Sequence, residues 1–83
     1  MGVNFDLIEN VIELDETVSV EEAETLLQLL LEHEEATIDA SACTHMHTAA
    51  VQVLLASKPK FTKLPEDDFL RRFLAPNWDF QEA

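Results

Sequence analysis

The chain has 83 residues, which is one small domain. It is 47% hydrophobic with one Gly and three Pro, enough core-forming material to exclude wholesale disorder. Seventeen acids against five bases give a formal charge of −12, and such a surface repels phosphate backbones, which excludes DNA, RNA and anionic membranes as partners.

The charge is uneven along the chain. Residues 1–57 hold twelve acids and no Lys or Arg, whereas residues 58–83 hold five of each and sum to zero. A basic protein partner and plain solubility are the two readings of this surplus. The longest uncharged apolar run, Leu26 to Leu31 interrupted by Gln28, is far short of the roughly 20 residues that span a bilayer. Met1 to Asp6 shows neither the basic nor the apolar region of a signal peptide, so a cytoplasmic location is the expectation. Cys43 is the one cysteine, which rules out an intramolecular disulfide. With its single Gly at position 2, the chain has no Gly-rich phosphate loop.

The pattern runs strand, helix, strand, helix, strand, helix. Residues 3–8 and 10–14 alternate apolar and polar side chains, which fits one interrupted strand or a tight hairpin around Glu9 and Asn10. Ser19-Val20-Glu21-Glu22 is a capping box that opens a helix fading near His33. Val20, Ala23, Leu26, Leu27 and Leu30 give that helix an apolar face. Ala36–Ala40 reads as a short buried strand and Ser41–His47 as a loop. Thr48 is placed to cap a second helix over 49–56, with Ala50, Val51, Leu54 and Leu55 buried and Pro59 as its stop. Phe61–Leu64 makes a third strand. Pro65 then opens a last helix with Glu66, Asp67 and Asp68 in its first turn, Phe69, Leu70, Phe73 and Leu74 on its apolar face, and Pro76 as its end. The expected fold class is α/β, a small mixed sheet with helices packed on one side.

The stretch Ile38-Asp39-Ala40-Ser41, followed by His47-Thr48-Ala49-Ala50 at a helix start, resembles the central signature of STAS domains, the family of anti-sigma factor antagonists and of STAS subunits of phospholipid transporters. In that family a strand ends in an Asp-Leu-Ser-like step, and Asp-Ser-Ser-Gly or Asp-Thr-Ala-Gly then opens a helix. The similarity spans residues 11–75, with the signature carried by about twenty of them. His47 stands where the motif has Asp, Ala49 where the antagonists carry their phosphoacceptor Ser, and Ala50 where the motif has Gly; the hydroxyl at Thr48 is kept. The resemblance implies a single non-enzymatic domain over 1–83 that docks a regulatory kinase, an anti-sigma-like factor or a transporter subunit. Any phosphoswitch would then use Thr48.

Thr48 is of interest on physical grounds as well, because a hydroxyl at a helix N-terminus stands beside free backbone amides that favour a phosphate. The bland alternative is a simple cap. The expected docking surface is His45 to Gln52, with Thr48 at its centre, His45, His47, Val51 and Gln52 around it, and Asp39 and Ser41 at the strand end.

A second class of function rests on Cys43, His45 and His47. Residues two apart in an extended segment share one side, so the triplet can offer one sulfur and two nitrogen ligands to a metal. A fourth ligand would have to come from Asp39 or Glu34, and ordinary loop residues are the competing reading. No cofactor is expected. Trp78 and Phe80 near the end of the chain either cap an edge of the core or dock on another chain, and the small core makes a homodimer an expectation too.

Overall fold

The computed structural model of the chain describes residues 2–74, so Pro76, Trp78 and Phe80 lie outside the described residues. Its elements run β1 (Val3–Asp6), β2 (Val11–Val18), α1 (Val20–Glu32), β3 (Thr37–Met46), α2 (Thr48–Ser57), β4 (Lys60–Lys63) and α3 (Asp68–Leu74). The fold is α/β, with a four-stranded mixed sheet in the order β1-β2-β3-β4. No helix among the described residues is long and apolar enough to cross a membrane.

Of the two openings the sequence allowed, the hairpin forms. β1 and β2 pair antiparallel from Asp6 and Val11 outward. Asn10 adopts a left-handed φ of 57° in the turn, a region Asn tolerates better than most residues. The Asp6 carboxylate accepts from the Ile8 and Glu9 amides and closes the turn. β2 runs four residues past Leu14, the limit its alternation marked, and feeds directly into the α1 cap.

β2, β3 and β4 are parallel neighbours, so the chain must return across the sheet through a helix each time. Successive crossovers in one direction lay α1 and α2 side by side. Phe5, Ile12, Ile38 and Phe61 align across the strands as one inward row. The last three are fully buried, and Ala23, Leu26, Leu30, Ala50, Val51 and Leu54 of the helices belong to the same core. In the next row Asn4, Glu13, Asp39 and Lys63 align on the uncovered face. No polar or charged residue is buried among those described, as a half-solvated sheet requires.

Four expectations are corrected. The segment 41–46 is strand, not loop. Its inward residues step as Ile38, Ala40, Cys43 and Met46 because β3 carries one extra residue against Glu13–Asp15 and another against Glu16–Thr17. Those two bulges erase the alternation by which a strand is read. Val20 and Leu27 are 50% and 40% exposed, and Leu55 is exposed as well, so the buried stripes are narrower than the sequence pattern. The last helix starts at Asp68 rather than Pro65. Pro65 is fully buried beside Leu64, and Asp67 takes the cap by accepting from the Leu70 amide at 3.1 Å. Finally, Thr48 is not the cap of α2, for reasons given with the site.

The α1 cap forms as the sequence requires. Ser19 Oγ accepts from the Glu22 amide at 3.2 Å, and the Glu22 carboxylate accepts from the Ser19 amide at 3.2 Å. The Gly2 amide donates to the other Glu22 oxygen, which ties the start of β1 to the helix. Gly is needed at position 2, since a Cβ there would stand 2.0 Å from the Thr17 carbonyl oxygen. The amides of Ser19 and then Gly2 hold the Glu22 carboxyl below its ordinary value of 4.5. A lowered folded-state pKa contributes stability above that ordinary value and loses it as pH falls through the folded one. Ser19→Ala is therefore expected to cost about 1 kcal/mol at neutral pH. Glu22→Gln removes the ionisable group itself, so urea titrations from pH 7 to pH 3 should show wild type losing its advantage over Glu22→Gln as the solution is acidified.

Candidate functional site

The α1 and α2 starts lie at the same end of the sheet. β2 and β3 pair through Val18 and Met46, and the His47 amide donates to the Val18 carbonyl at 2.9 Å. His47 is the residue that caps α2. Its backbone is extended, its carbonyl accepts from the Ala50 and Val51 amides at 2.9 and 3.2 Å, and its Nδ1 accepts from the Ala49 amide at 3.0 Å. The imidazole does the work of a capping Ser or Asp, which requires Nδ1 to be unprotonated. With the cap supplied one residue earlier, Thr48 becomes the first helical residue. It is exposed, and its hydroxyl has no hydrogen-bond partner among the described residues.

The expected docking residues therefore divide. His45, His47, Thr48 and Gln52 are exposed at this end, whereas Val51 is only 9% exposed and belongs to the core. Asp39 and Ser41 serve the first bulge of β3. The Asp39 carboxylate accepts from the Ser41 amide at 3.0 Å and from the Ser41 hydroxyl at 2.7 Å. The Ser41 carbonyl takes the Glu66 amide at 3.5 Å. A bulge leaves main-chain groups unpaired, and these contacts satisfy them. With Asn4, Glu13 and Asp15 the two residues line a shallow recess on the uncovered sheet face, away from Thr48.

The metal triplet is not brought together. Cys43 is fully buried in the core, and its thiol donates to the His45 carbonyl at 3.5 Å. Burial, joined by the charges of Asp67 and Asp15, pushes that thiol above its ordinary value, so it stays protonated and is no ready nucleophile or ligand. His45 is exposed and His47 is committed to the helix cap. The second bulge, between Cys43 and His45, breaks the two-residue side rule on which the triplet depended. No group of three metal-ligating side chains occurs among the described residues.

Beside the α2 start lies a feature that the sequence reading did not isolate. Val20, Ala23 and Leu27 of α1 face Ala49 and Val53 of α2 across a groove of about 320 Å³. Glu21 and Glu24 stand on its α1 side. The signal was present in the spacing: Val20, Leu27 and Leu31 sit seven and four residues apart on a flank distinct from the Ala23, Leu26 and Leu30 face. It was hidden because both sets are apolar and merge into one broad stripe.

Comparison with family models, with curated proteins and with solved structures finds no match to this chain in any of the three.

Asp39 and Thr48 are separable by mutation. Asp39→Ala should cost about 1–2 kcal/mol in urea unfolding, because it leaves the bulge amide without its acceptor. Thr48→Ala should stay within about 0.5 kcal/mol of wild type.

Proposed function

We propose that the chain is a non-enzymatic regulatory protein-interaction module of the bacterial cytoplasm. It docks a protein partner through the start of α2, with Thr48 at the centre, as the resemblance to anti-sigma factor antagonists implies. The observation that carries this reading is the exposed Thr48 hydroxyl, free of any intramolecular hydrogen bond among the described residues, on the first turn of a ten-residue helix. A kinase needs that access. The α2 dipole favours a phosphate there, although His47 already accepts from the Ala49 and Ala50 amides, and the modification adds roughly −1.5 to −2 charge. At the centre of the docking face, that step adds bulk and a strongly hydrated dianion that must be desolvated, which displaces a partner held there by shape. A regulatory kinase, an anti-sigma-like factor or a transporter subunit is the partner this reading implies.

Ala49 at the position of the usual phosphoacceptor favours a second reading, a constitutive subunit of a transporter or signalling complex with no switch. The two separate by mutation once the partner has been recovered by pull-down and identified. Under the switch, Thr48→Glu weakens binding by about tenfold or more, and Thr48→Ala binds like wild type. Wild-type affinity in Thr48→Glu, measured by calorimetry, removes the switch and leaves the constitutive subunit. Loss of binding in Thr48→Ala makes the hydroxyl itself the contact.

A further inference from the structure

Two parallel helices leave a furrow along their common direction, and on this chain the furrow is apolar on an acidic surface. Its floor is made of small side chains, Ala23 and Ala49, and its walls of Val20, Leu27 and Val53. Leu31, 69% exposed, continues the α1 wall one turn beyond Leu27. On a surface this rich in carboxylates, a contiguous apolar strip with a low floor is built to be covered.

The rim says by what. Glu21 and Glu24 stand on the α1 side and are exposed. The α2 side offers the uncharged Gln52 and Ala56. Residues 1–57, which hold both helices, contain no Lys or Arg at all. A second copy seated groove on groove would bring the same carboxylates against these and be repelled. An anionic lipid surface is repelled for the same reason. An occupant with apolar anchors and cations on one flank meets both requirements. A straight furrow between two helices accepts a third helix, whose ridge enters the groove.

We propose that the groove between α1 and α2 docks an amphipathic helix of a protein partner, with its apolar face on Val20, Leu27 and Val53 and with Lys or Arg on the flank that lies over Glu21 and Glu24. This rests on the reading of the chain as a docking module and names the chemistry of its partner. It also extends the contact from the α2 start, where Ala49 adjoins Thr48, along the length of the helical layer. The asymmetry of the rim fixes the polarity of the bound helix about its own axis, because cations on the α2 flank find no acid.

The test is selection of a displayed library of random peptides of about 16 residues on the full chain, long enough as helices to run the ~20 Å of α1. Each enriched peptide is then synthesised and followed by backbone-amide chemical-shift mapping. The expected binders carry apolar residues at three- and four-residue steps beside Lys or Arg. They shift Val20, Glu24, Leu27, Ala49 and Val53, and they weaken as salt is raised. Leu27→Lys and Glu24→Lys should each reduce affinity about tenfold or more, while Glu9→Lys, the same charge change at the β1–β2 turn, should cost less than about threefold. Both groove residues are exposed, and circular dichroism verifies that the variants fold.

Binders that are acidic or extended, or an absence of enrichment, overturn the proposal. Equal losses in Glu24→Lys and Glu9→Lys also overturn it, since they mean unspecific attraction to net charge. Shifts confined to His45–Thr48 and Gln52 overturn the groove but keep the α2 start as the docking site. Shifts confined to the uncovered sheet face overturn both.

Discussion

The parallel pairing of β2 with β3 is the constraint on which the rest depends. A parallel neighbour cannot be reached by a turn, so α1 must carry the chain back, and the same logic applied to β3 and β4 produces α2. Both helices then run in one direction and begin at one end, where Val18 and Met46 are register partners. The contact from the His47 amide to the Val18 carbonyl seals that end. Thr48 and the α1–α2 furrow are adjacent for this reason alone. In a sheet of antiparallel hairpins the same residues would lie at unrelated places.

The bulges of β3 are the second determinant. Ten residues must pair with the eight of β2, and the two extra residues are absorbed near Ala40–Ser41 and at Thr44. The first bulge creates unpaired main-chain groups, and the Asp39 and Ser41 side chains are spent on them. Glu16, opposite Cys43, takes a φ of 54°, and its carbonyl receives the Thr44 hydroxyl at 3.2 Å. At Glu16 a left-handed backbone and a side-chain-to-carbonyl hydrogen bond thus coincide with the register slip. The second bulge decides the fate of Cys43 and His45: one becomes core and the other surface, although two residues apart in a regular strand they would share a side.

Legibility followed how local each determinant is. The Ser19–Glu22 box and the stop at Pro59 are set by residues within a few positions of one another and are readable, whereas at Glu9 and Asn10 the sequence leaves an interrupted strand and a hairpin open and the pairing decides for the hairpin. The order of elements followed from period alone. The continuation of β2 to Val18 and of β3 to Met46 depends on pairing with a strand far away in sequence, which periodicity does not encode. The choice of His47 over Thr48 as cap was lost because Thr is the commoner cap, and only the backbone geometry shows the imidazole nitrogen in the accepting position. The furrow was lost because a helix with apolar residues on two adjacent flanks looks, in one dimension, like a helix with one wide face.

Sequence arithmetic leaves the negative charge open between solubility and a basic partner, and under the groove proposal these are two faces of one device. Every charged side chain among the described residues is at the surface, and the apolar strip between α1 and α2 shares that surface. An uncovered apolar furrow invites association with any other apolar patch, including its own copies. Carboxylates on the rim raise the energy of encounters with acidic surfaces and lower it for those that bring cations, so under that proposal the charge selects what the furrow admits. A neutral rim would give solubility problems and no selectivity, whereas a mixed rim would let copies pair through their own opposite charges. With no Lys or Arg in residues 1–57, α1 and α2 supply no cation of their own to the rim, and the five bases of the chain all lie at 58–83.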